Sequence, residues 1–473
     1  MLFLGKLFQQ RMRLRKFIQF FILILVLSSS VVFDSGCAQI GYPTGGAKDS
    51  LPPKLVKANP EMDAKNIKSD KFAFTFDEYI DLQDLQNNLL ISPLQNKNPN
   101  ITANPKTINL KFRDSLLPNT TYTINFGDAV RDINENNILK NFTYVFSTGN
   151  YIDSGTIAGK IYTAETGKID TTILVMLYAN TTDSIVKKKK PNYISKVKGD
   201  GSFEFKNLPN SEFKIYGLKD NDGGKTYNIE TETFAFRDEI VSASKNENIT
   251  LFAYAEKKEE PVKTNVAEKP SKEKKLSYTT NLIGDKDILE PIEINFINAI
   301  KILDSNKIYL TDTFFAKKYP LKYSLDTTLK KLLIDVKWEL ETPYVFVFGK
   351  DAVKDTFDKQ LAKTDTIRFQ TKKTEDYGKL IFRFNDLDLK KNPVLEFLQN
   401  DQIKLSSKIT SNTYTNNLFP PGEYEIRILY DTDKNGKWTP GNYSKKLQPE
   451  IAVTLPQKLT IKANWDNERD INL

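Results

Sequence analysis

The sequence predicts an all-β protein of four tandem β-sandwich modules, arranged A–B–linker–A′–B′, and three observations carry that prediction. First, short segments alternate apolar and polar residues: Phe72, Phe74 and Phe76 point one way in KFAFTF, Tyr122, Ile124 and Phe126 in TYTINF, and Phe142, Tyr144 and Phe146 in NFTYVF. Second, Pro, Asn, Asp and Gly turns separate these segments, and no long stretch repeats its apolar residues with the 3.6-residue period of a helix. Third, the chain repeats itself. TYTINFGDAVRDINENN (121–137) is echoed by PYVFVFGKDAVKDTFDKQ (343–360), and NLPNSEFKIYGLKDND (207–222) by LFPPGEYEIRILYDTDKNG (418–436). The 30 Phe and 21 Tyr suit half-buried pleated sheets better than helical bundles.

Taken in order, residues 1–16 carry a basic cluster at Arg11, Arg13, Arg15 and Lys16. An apolar run follows, Phe17–Phe33, and then Asp34-Ser35-Gly36-Cys37. This order of basic, greasy and small residues is that of a secretory signal peptide over 1–36, with Met12 as an alternative start. The other reading is an uncleaved transmembrane anchor, because this 17-residue, mostly apolar run approaches the roughly 20 residues that span a bilayer. Residues 37–54, rich in Gly and Pro, form a tether. Region A (55–149) and region B (152–255) follow. EKKEEPVKTNVAEKPSKEKK (256–275) has almost no apolar content and is expected to be a flexible charged linker. Regions A′ (277–373) and B′ (376–473) complete the chain, and each is expected to share the strand order of its partner.

Composition removes whole classes of chemistry. With no histidine, the chain holds no serine triad with a His base, no HExxH zinc site and no His proton shuttle. With one cysteine it forms no internal disulfide, thiolate zinc site or CxxC pair. Of the net charge of +8, half lies in the first 36 residues, where five basic side chains face Asp34 alone. The remaining charges are mixed rather than gathered into a stripe. The one compact basic run, Lys187–Lys190, reads as a solvated loop tip and not as a phosphate-binding patch, so no nucleic-acid partner is expected.

CAQIGYPTGGAKDSLPPKL, FTFDEYIDL, LISP, LLPNTTYTINFGDAVRDINENN and FSTG closely resemble the Ig-like lipoproteins of Bacteroidota, whose first module is the S-layer-type (SbsA-type) bacterial Ig-like domain. The B regions resemble carboxypeptidase-regulatory or prealbumin-like sandwiches through DGSFEFKNLP and PPGEYEIRILYD. The resemblance implies an envelope lipoprotein with no assigned activity. Ser35-Gly36-Cys37 is similar to a bacterial lipobox, which makes Cys37 the lipid-attachment residue; Asp34 departs from the Leu or Val usual there.

Several patterns carry candidate chemistry. Asp431-Thr-Asp433-Lys-Asn435-Gly436 has the spacing of a calcium loop, in which alternate oxygen side chains converge on a hard cation. The twelfth position is Asn442, not a bidentate Glu, and an Asn-Gly hairpin turn fits the same residues, so the turn outweighs the ion. Asp220-Asn221-Asp222-Gly223-Gly224 is a fainter copy. Gly223-Gly224-Lys225-Thr226 imitates a phosphate loop, but Lys219 stands where the first Gly belongs, and TYNIETETF behind it reads as strand. Asp77-Glu78 could serve as an acid/base pair, although such a pair at a strand end is ordinarily a solvated turn. The expected function is therefore a non-enzymatic envelope scaffold that binds a protein or glycan partner. The alternative is a carbohydrate-active enzyme or an accessory carbohydrate-binding module. No cofactor besides the calcium at Asp431, Asp433 and Asn435 is expected. Ala38–Ala47 contain no acidic residue, which favours the periplasmic face of the outer membrane over the cell surface.

Overall fold

The computed structural model describes residues 12, 15, 16, 18–24, 48–179, 181–245, 247–257 and 275–473. Cys37, most of the signal segment and residues 258–274 of the expected linker lie outside the described residues. Among the described residues no helix is long and apolar enough to cross a membrane.

The chain is all-β. In region A, Leu55–Asn59, Lys71–Phe76, Thr107–Lys111 and Asn100–Asn104 form one antiparallel sheet in that order. Leu90–Ser92, Thr121–Asn125 and Thr143–Ser147 form a second sheet, and Ile80–Leu82 pairs with Val130–Asp132 as a ribbon. Alternation fixes which side chains meet between the sheets, because successive residues of a strand face opposite sides. Phe72, Phe74 and Phe76 from the first sheet pack on Tyr122, Ile124, Tyr144 and Phe146 from the second, all almost wholly buried. The rings meet at 4.5 Å for Phe72–Phe146 and edge-on at 4.8 Å for Phe74–Tyr144, geometries that add to the burial of their apolar area.

Region A′ repeats this strand for strand. Tyr278–Thr280, Ile292–Phe296, Lys331–Val336 and Leu321–Leu325 give the first sheet, and Ile300–Leu303 pairs with Val353–Asp355 as the ribbon. Ile308–Thr311, Pro343–Phe348 and Asp365–Gln370 give the second sheet, with Lys318–Tyr319 as an added edge. The echoed Ala-Val-basic-Asp sequence has a structural cause. Asp132, buried, accepts the amides of Glu135, Asn136 and Asn137 at 2.6–2.9 Å; Asp355, also buried, accepts those of Phe357 and Lys359 at 2.9 Å. Each aspartate holds the turn that follows its ribbon strand.

Regions B and B′ also share one strand order. In B, Tyr193–Lys196, Leu174–Tyr178, Glu212–Leu218 and Thr233–Phe236 lie side by side; in B′ the corresponding strands are Gln402–Lys408, Pro393–Gln399, Gly422–Tyr430 and Ile451–Thr454. Gly155–Thr163 runs parallel to Ile249–Ala255 and antiparallel to Ser202–Leu208, and Gly378–Asn385 stands in the same relation to Asp466–Asn472 and Thr413–Phe419. One difference stands out: Thr233–Phe236 also pairs with Ile249–Ala255, whereas Ile451–Thr454 makes no such bond to the last strand.

The string of modules folds back on itself. Although region A′ separates them in sequence, B and B′ are packed together. Tyr443 enters an aromatic cluster of B containing Tyr216, Tyr227, Phe234, Phe236 and Tyr254. Its hydroxyl donates to the Asp183 carbonyl at 2.7 Å and lies 3.1 Å from the Tyr216 hydroxyl. Arg427 donates to the Glu165 carbonyl at 2.9 Å, the Ala452 amide to the Ala164 carbonyl at 2.8 Å, and Lys168 pairs with both Asp401 and Glu425 at 3.1 Å. Two glycines permit the approach: a Cβ on Gly167 would lie 2.7 Å from the Ala452 oxygen, and one on Gly441 would lie 2.7 Å from the Tyr254 ring.

Three sequence expectations change here. Lys187 and Lys188 are not in a loop tip but end a short helix, Ile185–Lys188, because Ile185 and Val186 are buried in the B–B′ cluster; the lysines themselves remain exposed. Glu256, expected in the flexible linker, instead accepts from the Tyr227 hydroxyl, the Asn442 amide group and the Tyr443 backbone amide at 2.9–3.1 Å. Of TYNIETETF only its end, from Thr233, is strand, and the residues before it form an irregular loop.

Candidate functional site

Regions B and B′ each carry one long connection at the same place in their topology. In B it joins Glu212–Leu218 to Thr233–Phe236 through residues 219–232; in B′ it joins Gly422–Tyr430 to Ile451–Thr454 through residues 431–450. Each begins with spaced aspartates and ends on a glutamate immediately before the next strand. The fold brings these together. Asp220, Asp222 and Glu232 present carboxylate oxygens within 4.8 Å of one another, and so do Asp431, Asp433 and Glu450.

In the B′ corner the three carboxylates are held by donors. Asp431 accepts the amides of Asn435 at 3.1 Å and Gly436 at 2.9 Å. Glu450 accepts the amides of Thr432, Asp433 and Thr439 at 2.6, 3.2 and 2.9 Å, and the Thr432 hydroxyl at 2.9 Å. The Thr439 hydroxyl, with the Asn435 amide group, contacts Asp433 and holds its carboxyl below the usual range. Asn435 turns its Oδ1 to the Lys437 amide at 2.6 Å. Asn435-Gly436 does form a turn, with Gly436 at φ 76°, but it lies inside a long connection and does not join two adjacent strands. Asn442, at the twelfth position, leaves the corner altogether and donates to Glu256.

The B corner has fewer donors. Glu232 is wholly buried; its Oε1 accepts the Asn221 amide at 3.1 Å, while its Oε2 meets no hydrogen-bond donor. Burial, with Asp222 and Asp220 close by, pushes the Glu232 carboxyl above the usual range. Asp220 accepts the Lys225 amide at 3.1 Å, and Asp222 the Gly224 amide at 2.7 Å. Glu232 and Glu450 escaped the sequence reading because neither stands at the twelfth position of a compact calcium loop: Glu232 is thirteenth counting from Asp220 and Glu450 twentieth counting from Asp431. The available signal was a glutamate directly before the strand that follows each loop, in ETETFAF and PEIAVT.

The other candidates dissolve on the geometry. Gly223–Thr226 is followed by irregular chain, not by the helix whose N-terminus would hold phosphate. Asp77 accepts the Lys54 amide at 2.8 Å, and Glu78, whose carboxyl is raised by partial burial and by Asp132, neighbours an aspartate already committed to its turn. A groove of about 540 Å³ runs between regions A and B, lined by polar groups including Asn125, Thr143, Lys196, Glu204 and Asn207.

Residues 49–148 match the bacterial Ig-like domain family Big_5. No curated protein matches the chain. Among solved structures, the chain is similar to the N-terminal part of the bacterial S-layer protein SbsC at 14% identity and a TM-score of 0.17, over 35% of this chain and 40% of that one. The Bacillus anthracis TIE protein aligns at 10% identity and a TM-score of 0.17, over 91% and 76% of the two chains. BcpA*(D312A), the major pilin subunit of Bacillus cereus, aligns at 10% identity and a TM-score of 0.16, over 68% and 99%. TM-scores of this size establish neither a shared arrangement nor a shared role.

Proposed function

We propose that this chain is a non-enzymatic scaffold of the bacterial cell envelope, built of four sandwich modules and tied to the outer membrane through a lipid on Cys37. The observation that carries this reading is the bacterial Ig-like match over residues 49–148, together with the recurrence of that region's strand order in 278–370. Packing of B on B′ supports a rigid body, because an aromatic cluster and several hydrogen bonds tie the two ends of the repeat. The groove between A and B offers amide, hydroxyl and charged groups to a protein loop or a glycan. Anchoring is supported by the basic and apolar segments before the lone cysteine. A single acyl chain holds a protein only marginally, whereas two or more hold it stably, so a diacylated Cys37 would supply the whole attachment.

Cys37→Ser followed by membrane fractionation and mass measurement tests the reading. Wild type should be membrane-bound, begin at residue 37 and carry a lipid-sized mass increment; the variant should be soluble or remain an uncleaved precursor. A wild-type chain that keeps residues 1–36 with unmodified Cys37 would replace the lipid anchor with a transmembrane one. Protease treatment of intact cells should leave the chain whole if it faces the periplasm.

A further inference from the structure

The two acidic corners pose one electrostatic problem and solve it differently. Three carboxylates within 4.8 Å repel one another, and a buried carboxylate oxygen without a donor loses its hydration for nothing in return. In B′ the donors of Thr432, Asp433, Asn435, Gly436 and Thr439 absorb the charge. In B the only ammonium at the cluster is Lys225, 3.8 Å from Asp220 Oδ2, among the described residues. Asn228 reaches Asp222 Oδ2 only at 3.4 Å. Three carboxylates facing one ammonium leave two negative charges, and Glu232 Oε2 is buried with no partner.

We propose that Asp220, Asp222 and Glu232 form a binding site for a hard divalent cation of the calcium class. Such ions take carboxylate and carbonyl oxygens at about 2.3–2.6 Å in flexible geometry, which suits three carboxylates spread over an irregular loop. The neutralised charge matches, and the ion supplies Glu232 Oε2 with the partner the protein does not. Asp222 is exposed, so the ion enters from solvent and completes its shell with water. Glu232 directly precedes Thr233–Phe236, whose Phe234 and Phe236 pack against Tyr443 at 5.1 Å. Cation binding therefore braces the strand on which B′ docks. The B′ corner is the same connection with hydrogen bonds in place of the ion.

The test uses the full chain in detergent, with calcium chloride as the only added ligand after removal of cations by EDTA. Titration calorimetry should detect binding, and calcium should raise the melting temperature by preferential binding to the folded state. Glu232→Gln should abolish the binding assigned to this corner and, in EDTA, melt no lower than wild type, since it removes an uncompensated charge. Asp222→Asn, at an exposed position where Oδ1 can still accept the Gly224 amide, should weaken calcium at least ten-fold. Asp433→Ala should leave that binding in place. The proposal is overturned if wild type shows neither heat nor a melting shift at millimolar calcium. It is equally overturned if Glu232→Gln and Asp222→Asn keep the full response, or if Asp433→Ala alone removes it. A fall of the Glu232→Gln melting temperature in EDTA would also sink it, because Glu232 would then serve the fold without an ion.

Discussion

Regions B and B′ share a strand order, an acidic connection and a closing glutamate, yet that connection does different work in each. In B it is 14 residues long (219–232) and folds back on its own sheet, where Tyr227 stacks on Phe234 with centroids 3.9 Å apart. In B′ it is 20 residues long (431–450) and sends Tyr443 into the aromatic cluster of B. The longer loop also contains the hydroxyls and amides that hold its own carboxylates. The pattern DTDKNG, which looks more like a calcium loop, thus sits where the protein supplies most of the donors. The fainter DNDGG sits where an oxygen is left without one. A motif reports oxygens near one another along the chain; the need for an ion depends on which donors the fold brings to them.

The sharpest way to break this comparison is to remove the residue that makes the B′ loop an interface. Tyr443→Ala should destabilise the B–B′ contact by about 3–5 kcal/mol, the cost of truncating a large buried aromatic. Its effect should appear in the fluorescence of Trp438, which packs beside the same cluster, in a chain with Trp338 and Trp465 replaced by Phe. Proteolysis within 258–274 should quicken at the same time. An unchanged unfolding profile would mean that B and B′ do not support one another.

The next largest effect separates the two glutamates. Glu450→Ala removes the buried carboxylate that accepts the amides of Thr432, Asp433 and Thr439 in partly buried hydrogen bonds and should cost about 1–3 kcal/mol in urea unfolding, with or without calcium. Glu232→Gln without calcium should cost nothing. Equal losses from both would erase the distinction between a corner closed by hydrogen bonds and one left open.

A smaller effect concerns the face that B′ turns toward B. Where B places the cross-strand pair Met176 and Tyr216 in the cluster, B′ buries a charged pair, Glu396 and Arg427, 3.6 Å apart and 2% and 6% exposed. Burial raises the Glu396 carboxyl, against the opposing pull of Arg427. A raised carboxyl binds its proton more tightly folded than unfolded. The stability of B′ should therefore fall as pH rises from about 4.3, the unfolded value, through the folded one. Glu396→Gln should flatten that slope in melting curves. A slope of opposite sign in wild type would mean that the Arg427 interaction outweighs burial. Least of all, Asp433→Ala at its exposed position should shift the melting temperature only slightly, far less than Glu450→Ala.

Much of the fold was legible because it is written in short-range pattern. Phe72, Phe74 and Phe76 were assigned to one face by alternation, and all three are buried together. The echo of AVRD in AVKD marked equivalent aspartates without disclosing their role, since the amides they accept come from the following turn. The carboxylate pairings of the corners were only half visible: the aspartates are two residues apart, but Glu232 and Glu450 reach them through the return of the chain. The second buried face also leaves a signal in the sequence. Leu174–Tyr178 reads LVMLY without alternation, as a strand covered on both sides should.

By itself the sequence determined the β character, the repeat and the faces of individual strands, because alternation, turn residues and local hydrogen bonding act between neighbours in the chain. The docking of B on B′, the placement of Tyr443 and the difference between the acidic corners were decided only in the tertiary structure. Tyr443 and Tyr216 are 227 residues apart, and Gly167 and Gly441, which their own turns also require, meet distant chain only once B and B′ come together. No local period encodes such a meeting; it depends on surfaces whose shape and polar groups exist only once each sheet has formed.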